Sequence, residues 1–302
     1  MKRTLHHGFL AALAAGITLH VQTAAAQTAG APDLAFYRPL TLAPAETEAA
    51  GGGGDADGQA STEALAKAAQ NPIANMISLP LQNNFNFGIG PDQATQWNLN
   101  VEPVIPIKLS EDWNVITRTV IPIINQPSPA SGVDSAFGMG DINPTFYFSP
   151  AKPGGLVWGA GPTFTLPTAT DMMLGSGKYS AGPAIVALTI QGHWLFGVLA
   201  NQQWSYAGWG DKNVSAMLVQ PFINYNLPHG WYLTSSPIIT ADWNAASDER
   251  WTVPIGGGIG KIVHVGHQPM NLQLQSFYNA ETPKNFGADW QLRFQLTFLF
   301  PK

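Results

Sequence analysis

No cysteine occurs among the 302 residues. Disulfides, thiolate metal sites, cysteine nucleophiles and a lipid-modified N-terminal cysteine are therefore excluded. Charge is scarce as well. Asp, Glu, Lys and Arg make up 11% of the chain, less than half of the roughly 25% of an ordinary soluble domain. The third deficit is in long apolar runs. Although 45% of the residues are hydrophobic and mean hydropathy is +0.01, no run past the N-terminus approaches the roughly 20 residues of a spanning helix. A chain of this kind can live in a bilayer only as a closed β-barrel, because every backbone polar group needs a partner there.

The C-terminal stretch carries the pattern such a barrel requires. Trp290, Leu292, Phe294, Leu296, Phe298 and Phe300 fall on one face of a strand, and Gln291, Arg293, Gln295 and Thr297 on the other, with Leu299 alone out of pattern. A soluble edge strand this apolar would aggregate; a lipid-facing strand with a polar lumen face wants this alternation. Twelve such segments are expected, over 76–90, 95–109, 113–125, 138–149, 156–168, 178–190, 194–207, 214–227, 231–243, 250–264, 270–280 and 288–300. The sixth (Ala184 to Leu188) and the tenth (Gly256-Gly257-Gly258) alternate poorly, and the glycines suggest close approach of a neighbouring strand. Short connections follow the even strands and longer ones most odd strands, which puts short turns and both termini on the periplasmic side.

Tryptophan supplies an independent sign. Trp97, Trp113, Trp158, Trp194, Trp231, Trp243, Trp251 and Trp290 lie at or near strand ends, as an aromatic belt at the two membrane interfaces requires. A secreted β-sandwich would place them mid-strand and would use strands of about 5 or 6 residues. Prolines inside the strands (Pro80, Pro103, Pro106, Pro122, Pro144, Pro162, Pro183, Pro221, Pro237 and Pro254) oppose the reading, because proline cannot donate to a ladder. Bulges or irregular registers are expected at several of them.

Before the strands, residues 1–26 have the form of a cleaved signal peptide. Lys2 and Arg3 precede an apolar core, and Ala24-Ala25-Ala26 precedes the cut. Its removal would leave the chain more acidic than its formal net charge of −5, which argues against nucleic acid as a partner. Residues 27–60 form an Ala/Gly/Pro-rich linker of low complexity. Ser61 can cap a short helix over 61–72, stopped by Asn71-Pro72; it would serve as a periplasmic tether or as a lumen plug. Residues 73–302 form the barrel.

Ala69-Gln70-Asn71-Pro72, the run Ser78-Leu79-Pro80-Leu81-Gln82-Asn83-Asn84, and Gly138-Met139-Gly140-Asp141-Ile142 resemble a family of Gram-negative outer-membrane proteins. It is known as the meta-pathway phenol-degradation family, and its members are often mislabelled "neuromedin U". The resemblance covers residues 62–302. It implies an outer-membrane barrel with a transport role and supplies no catalytic residues.

Parity predicts an amide-rich lumen with few charges. Glu102, Arg118, Asp141, Asp242 and Arg293, with Gln291 and Gln295, are the expected constriction. Glu102 and Arg118 should be diagonal neighbours across the 110–112 turn. The expected function is a passive conduit for small solutes, hydrophobic or aromatic ones included, whose partners are outer-membrane lipid and the solute. The alternatives are a barrel zipped shut by its own amides and an outer-membrane hydrolase. An enzyme needs a nucleophile and base within reach of each other, whereas His193, His229, His264 and His267 fall at predicted turns and strand ends. Asp171, Asp211, Asp248 and Glu249 fall on external loops, and no G-x-S-x-G elbow occurs. No enzyme, cofactor or metal site is expected.

Overall fold

The computed structural model describes residues 54–90, 92–128, 133–209 and 212–301. The expected signal peptide and most of the expected linker lie outside them. Helix α1 spans Gly54–Ala69, so it begins before Ser61, which falls inside it rather than capping it. Twelve strands follow: β1 (Ile77–Ile89), β2 (Ala94–Val101 and Val104–Lys108), β3 (Trp113–Gln126), β4 (Ala136–Met139 and Asn143–Pro150), β5 (Leu156–Thr165) and β6 (Lys178–Gln191). The second half comprises β7 (Trp194–Gly208), β8 (Ser215–Asn226), β9 (Trp231–Ser235 and Ile239–Asp242), β10 (Trp251–Val265), β11 (Gln268–Glu281) and β12 (Trp290–Phe300). Three strands are each broken once, so fifteen ladder segments make twelve strands.

Each strand pairs antiparallel with its sequence neighbours, and β12 returns to β1 from Ile77↔Phe300 to Phe87↔Trp290. The barrel is closed and has no free edge. Its outer face is apolar: Ile105, Ile107, Ile185, Phe196, Ile255, Phe294 and Phe300 are all exposed. The inner face carries buried Gln82, Asn84, Glu102, Asn224, Asn271, Gln275 and Arg293. Two outward amides are relieved by indoles, with Trp97 Nε1 donating to Asn83 Oδ1 at 3.2 Å and Trp243 Nε1 to Gln202 Oε1 at 2.9 Å.

The belt residues divide between the two rims. Trp113, Trp194 and Trp231 open strands at the short-turn end, and Trp158 lies two residues into its own there. Trp97, Trp243, Trp251 and Trp290 lie toward the other. Trp113 meets Trp158 edge to face at 6.0 Å, Trp243 meets Trp251 at 5.4 Å, and Lys261 lies 4.5 Å above the Trp231 ring. Rings with one apolar and one polar edge belong at such rims.

Glycine marks places where the wall is tight. A Cβ on Gly256 or Gly258 would lie 2.0 or 1.8 Å from a carbonyl oxygen of β11, as close approach of the neighbouring strand requires. Gly260 lies under the ring of Tyr232, whose side chain is fully buried. A Cβ there would lie 2.1 Å from Tyr232 Cζ, and Tyr232 Oη donates to Asn271 Oδ1 at 2.6 Å. Gly260→Val must displace the ring and break that bond. The expected cost is about 2 kcal/mol, seen as a lower temperature for loss of the folded, fast-migrating band on unboiled gels. An unchanged transition would show that the ring is not held there.

Candidate functional site

The helix closes the short-turn end of the barrel. Ala66 is buried with Met76, Ile262 of β10 and Leu299 of β12, and Leu65, Ala68, Ala69 and Ala74 pack around them. Alanines let a helix approach a wall closely, and Gln70 Nε2 ties it down by donating to buried Asn226 Oδ1 at 2.8 Å. Pro72 ends the helical path. Asn71 Oδ1 accepts from Ile73 N at 3.0 Å, the local turn that asparagine side chains favour. The turn delivers Ile73 into an apolar cluster of Val104, Ile116, Tyr147, Ala184, Val186, Leu188, Leu195 and Leu199. This is why the sixth strand alternates poorly: its inward residues meet an apolar knob instead of water. Leu299, apolar on an otherwise polar face, has the same explanation. The segment packs into the mouth of the barrel rather than standing free of it.

Above the plug lies an inner chamber of about 130 Å³, bounded by the Ala68–Met76 stretch, Glu102, Arg118, Gln220, Gln273 and Gln295. Arg118 Nη2 donates to Glu102 Oε2 at 2.6 Å. Arg118 stands directly opposite Val104, so Glu102 is its diagonal neighbour. Gln295 also lies here, donating to Thr297 Oγ1 at 3.0 Å.

Arg293 stands between this chamber and a vestibule toward the long-loop end. Only 1% exposed, it donates from Nε to Asn84 Oδ1 (3.1 Å), from Nη1 to Ser236 O (2.8 Å) and from Nη2 to Gln291 Oε1 (3.0 Å). Its guanidinium lies 4.9 Å from the Phe277 ring centre. Among the described residues no carboxylate forms an ion pair with it. Ser236 N and Oγ in turn donate to Gln275 Oε1 at 3.1 and 3.0 Å. Ser236 sits where β9 is broken, so its backbone is satisfied from the lumen instead of by a neighbouring strand.

The vestibule, about 420 Å³, is walled by Asn84, Asn86, Gln96, Asn98, Gln126, Asn279 and Gln291 and roofed in part by Phe286. Lys284 Nζ donates to Asp248 Oδ2 at 3.2 Å and Asn285 Nδ2 to Glu249 Oε1 at 2.6 Å, so two external loops are joined beside it. The Lys284 hydrogen bond holds the Asp248 carboxyl below its ordinary range.

Two expected constriction residues lie elsewhere. Asp141 falls in the break of β4, which resets the inside–outside alternation. Its Oδ1 accepts from Ala169 N and its Oδ2 from Ser176 N and Oγ, at 3.2, 2.7 and 3.0 Å. It anchors the 166–177 loop, whose Leu174 is buried against Gly138 and Gly140. Asp242 is exposed at the outer end of β9, where its Oδ1 accepts from Asn244 N at 3.0 Å. Parity alone cannot see a strand break or a strand end. Ile73, Gln70, Leu174 and Ser236 were not anticipated; the apolar inward positions of β6 and Leu299 were the available signal for the first two. His193 meets Tyr225 at 5.9 Å between ring centres, and His229 occupies a turn at φ 58°. Among the described residues no group of three or more His, Cys, Asp or Glu is placed to hold a metal ion.

No family model matches the sequence, and no curated protein does. Among solved structures, an outer membrane channel from Pseudomonas putida F1 is similar over 75% of this chain and 96% of its own, with a TM-score of 0.60 and 14% identity. The NanC porin is similar over 74% of this chain and all of its own, with a TM-score of 0.49 and 8% identity. An outer membrane phospholipase from Salmonella typhi gives 0.39 and 13% over 74% of this chain and 91% of its own. The first of these shows a shared fold: the chain has the architecture of an outer-membrane β-barrel.

The Glu102–Arg118 pair yields a prediction. Glu102→Gln leaves a largely buried guanidinium without its countercharge, at a cost of roughly 3 kcal/mol. Replacing both residues by leucine should cost less than either single replacement by leucine, because no charge is then stranded. Thermal loss of the folded gel band measures all of these; additive costs would show that the two side chains do not act as a pair.

Proposed function

We propose that this protein is an outer-membrane conduit for small solutes, held shut at its periplasmic end by its own N-terminal segment. The observation that carries the reading is the way the lumen is closed. Hollow space lies on both sides of the Arg293 layer, and the short-turn mouth is filled by α1 and Ile73, which belong to a removable segment. A barrel that was only a scaffold would close more simply with large wall side chains. The rim tryptophans and the apolar outer face support insertion into an outer membrane. The resemblance of residues 69–72, 78–84 and 138–142 to a transport-associated family, together with the fold shared with a solved channel, points the same way. The lumen favours uncharged, amphipathic solutes, since its charges are paired or enclosed.

Conductance in planar bilayers tests this. The full chain should give rare or small steps. A variant lacking residues 27–74 should give frequent, larger ones, and Ile73→Asp, which puts a carboxylate into the apolar cluster, should fall between them. A silent truncated barrel, with folding verified by heat-modifiable mobility, would overturn the conduit reading.

A further inference from the structure

The vestibule wall holds an ordered feature that closing the barrel does not require. Gln291, Asn86, Gln96 and Gln126 occupy adjacent strands, β12, β1, β2 and β3, at one height; Gln291 is paired with Asn86 and Asn86 with Gln96 across the ladder. Their amides form a directed chain. Arg293 Nη2 donates to Gln291 Oε1 (3.0 Å), Gln291 Nε2 to Asn86 Oδ1 (2.9 Å), Asn86 Nδ2 to Gln96 Oε1 (2.7 Å), and Gln96 Nε2 to Gln126 Oε1. A guanidinium can only donate. It therefore fixes Gln291 with its oxygen toward Arg293, and each following amide is fixed in turn. Hydrogen bonds aligned in this way polarise one another. Gln291, Asn86 and Gln96 each spend one N–H and one lone pair within the chain and keep a second N–H and a second lone pair, and Gln126, at its end, spends one lone pair only.

We infer that this amide row is a binding track for a neutral, hydroxyl-rich ring solute of monosaccharide type, captured in the vestibule before passage. The inference rests on the conduit reading and names the solute class its outer half selects. Hydroxyl groups both donate and accept, so they match a surface that offers spare donors and acceptors side by side. Phe286, half exposed over the space, offers a ring face for the C–H side of a sugar. Among the described residues no carboxylate, lysine or histidine lines the vestibule, and Arg293 is enclosed by its four partners, so an ionic solute finds no exposed countercharge there. A purely hydrocarbon solute would strip water from the amides and return no hydrogen bonds. The volume of about 420 Å³ lies within the range of roughly 300–1,000 Å³ typical of small-molecule sites.

Calorimetric titration of the folded full-length chain tests this in a sugar-free detergent such as lauryldimethylamine oxide. The probes are methyl β-glucoside, glucuronate (the same ring with a carboxylate) and cyclohexanol (a ring with one hydroxyl). Saturable binding of the glucoside is expected, with weaker binding of the other two. Gln96→Leu interrupts the chain midway and should weaken glucoside binding about five-fold, the effect of one neutral hydrogen bond of ordinary strength. Phe286→Ala, a loop change that leaves the wall intact, should weaken it by a similar factor. Absence of glucoside binding to the unaltered chain would overturn the inference, as would glucuronate or cyclohexanol binding equally well. Binding is read without conduction, so a failure here is distinct from a silent bilayer, which bears on the conduit alone.

Discussion

A backbone inside a bilayer has no water to fall back on, so each N–H and C=O must be satisfied within the protein. The irregularities of this barrel follow from that demand. The prolines inside its strands cannot donate, and the ladder skips beside some of them. Pro162 stands opposite Pro183; on their far sides, β5 keeps only the Thr145↔Thr163 and Phe148↔Ala160 pairs with β4, and β6 passes from Ala181↔Trp204 to Ala184↔Asn201 with β7. Pro103 and Pro237 fall in breaks of β2 and β9. Where the ladder lapses, side chains take over. Asn143 Nδ2 donates to Phe164 O, Ser149 Oγ to Trp158 O, and Arg293 Nη1 to Ser236 O. The lumen polar groups thus satisfy the backbone of the wall as well as one another.

That double role explains why a buried arginine without a carboxylate is tolerated. Stranding a charge is costly, but Arg293 meets three oxygens and an aromatic face, and one of those oxygens is the Ser236 carbonyl, freed by the broken strand and shared with Gln220 Nε2 at 3.5 Å. It also explains the unequal distribution of the lumen surface. Strands β11, β12, β1 and β2 present amides around Arg293, whereas β3 through β8 present Ile116, Tyr147, Val186, Leu188, Leu199 and Phe222 toward Ile73. The apolar sector receives the plug, and the polar sector lines the vestibule.

Strand number, strand limits and facing were legible in the sequence because the side-chain period of two leaves little freedom once one face must meet lipid. The diagonal pairing of Glu102 with Arg118 was legible for the same reason: a three-residue turn fixes the register of β2 against β3. Legibility ended where the period is interrupted. Asp141 sits in a strand break, so counting by twos from Asn143 gives it the wrong surroundings. Asp242 keeps its parity but lies at the rim, and alternation does not report height. The docking of α1 was hidden for another reason. Its docking residues are mostly alanines with few distinguishing contacts, and the signal for them lay far away in sequence, in the inward apolar positions of β6 and in Leu299.

The form of the closure bears on how such a barrel could open. Wall side chains that blocked the lumen could move only by rotamer changes within a rigid ladder. The plug is held by packing of small residues, one inserted isoleucine and the Gln70–Asn226 hydrogen bond, none of which belongs to the ladder. Its release would leave the closed sheet unchanged, so the barrel keeps every backbone bond while the mouth clears. The segment is joined directly to β1 at Ile77, so its effective concentration at the mouth stays high and re-docking is intramolecular. On the conduit reading proposed above, a solute that displaces Ile73 from its apolar cluster clears the mouth without breaking the ladder.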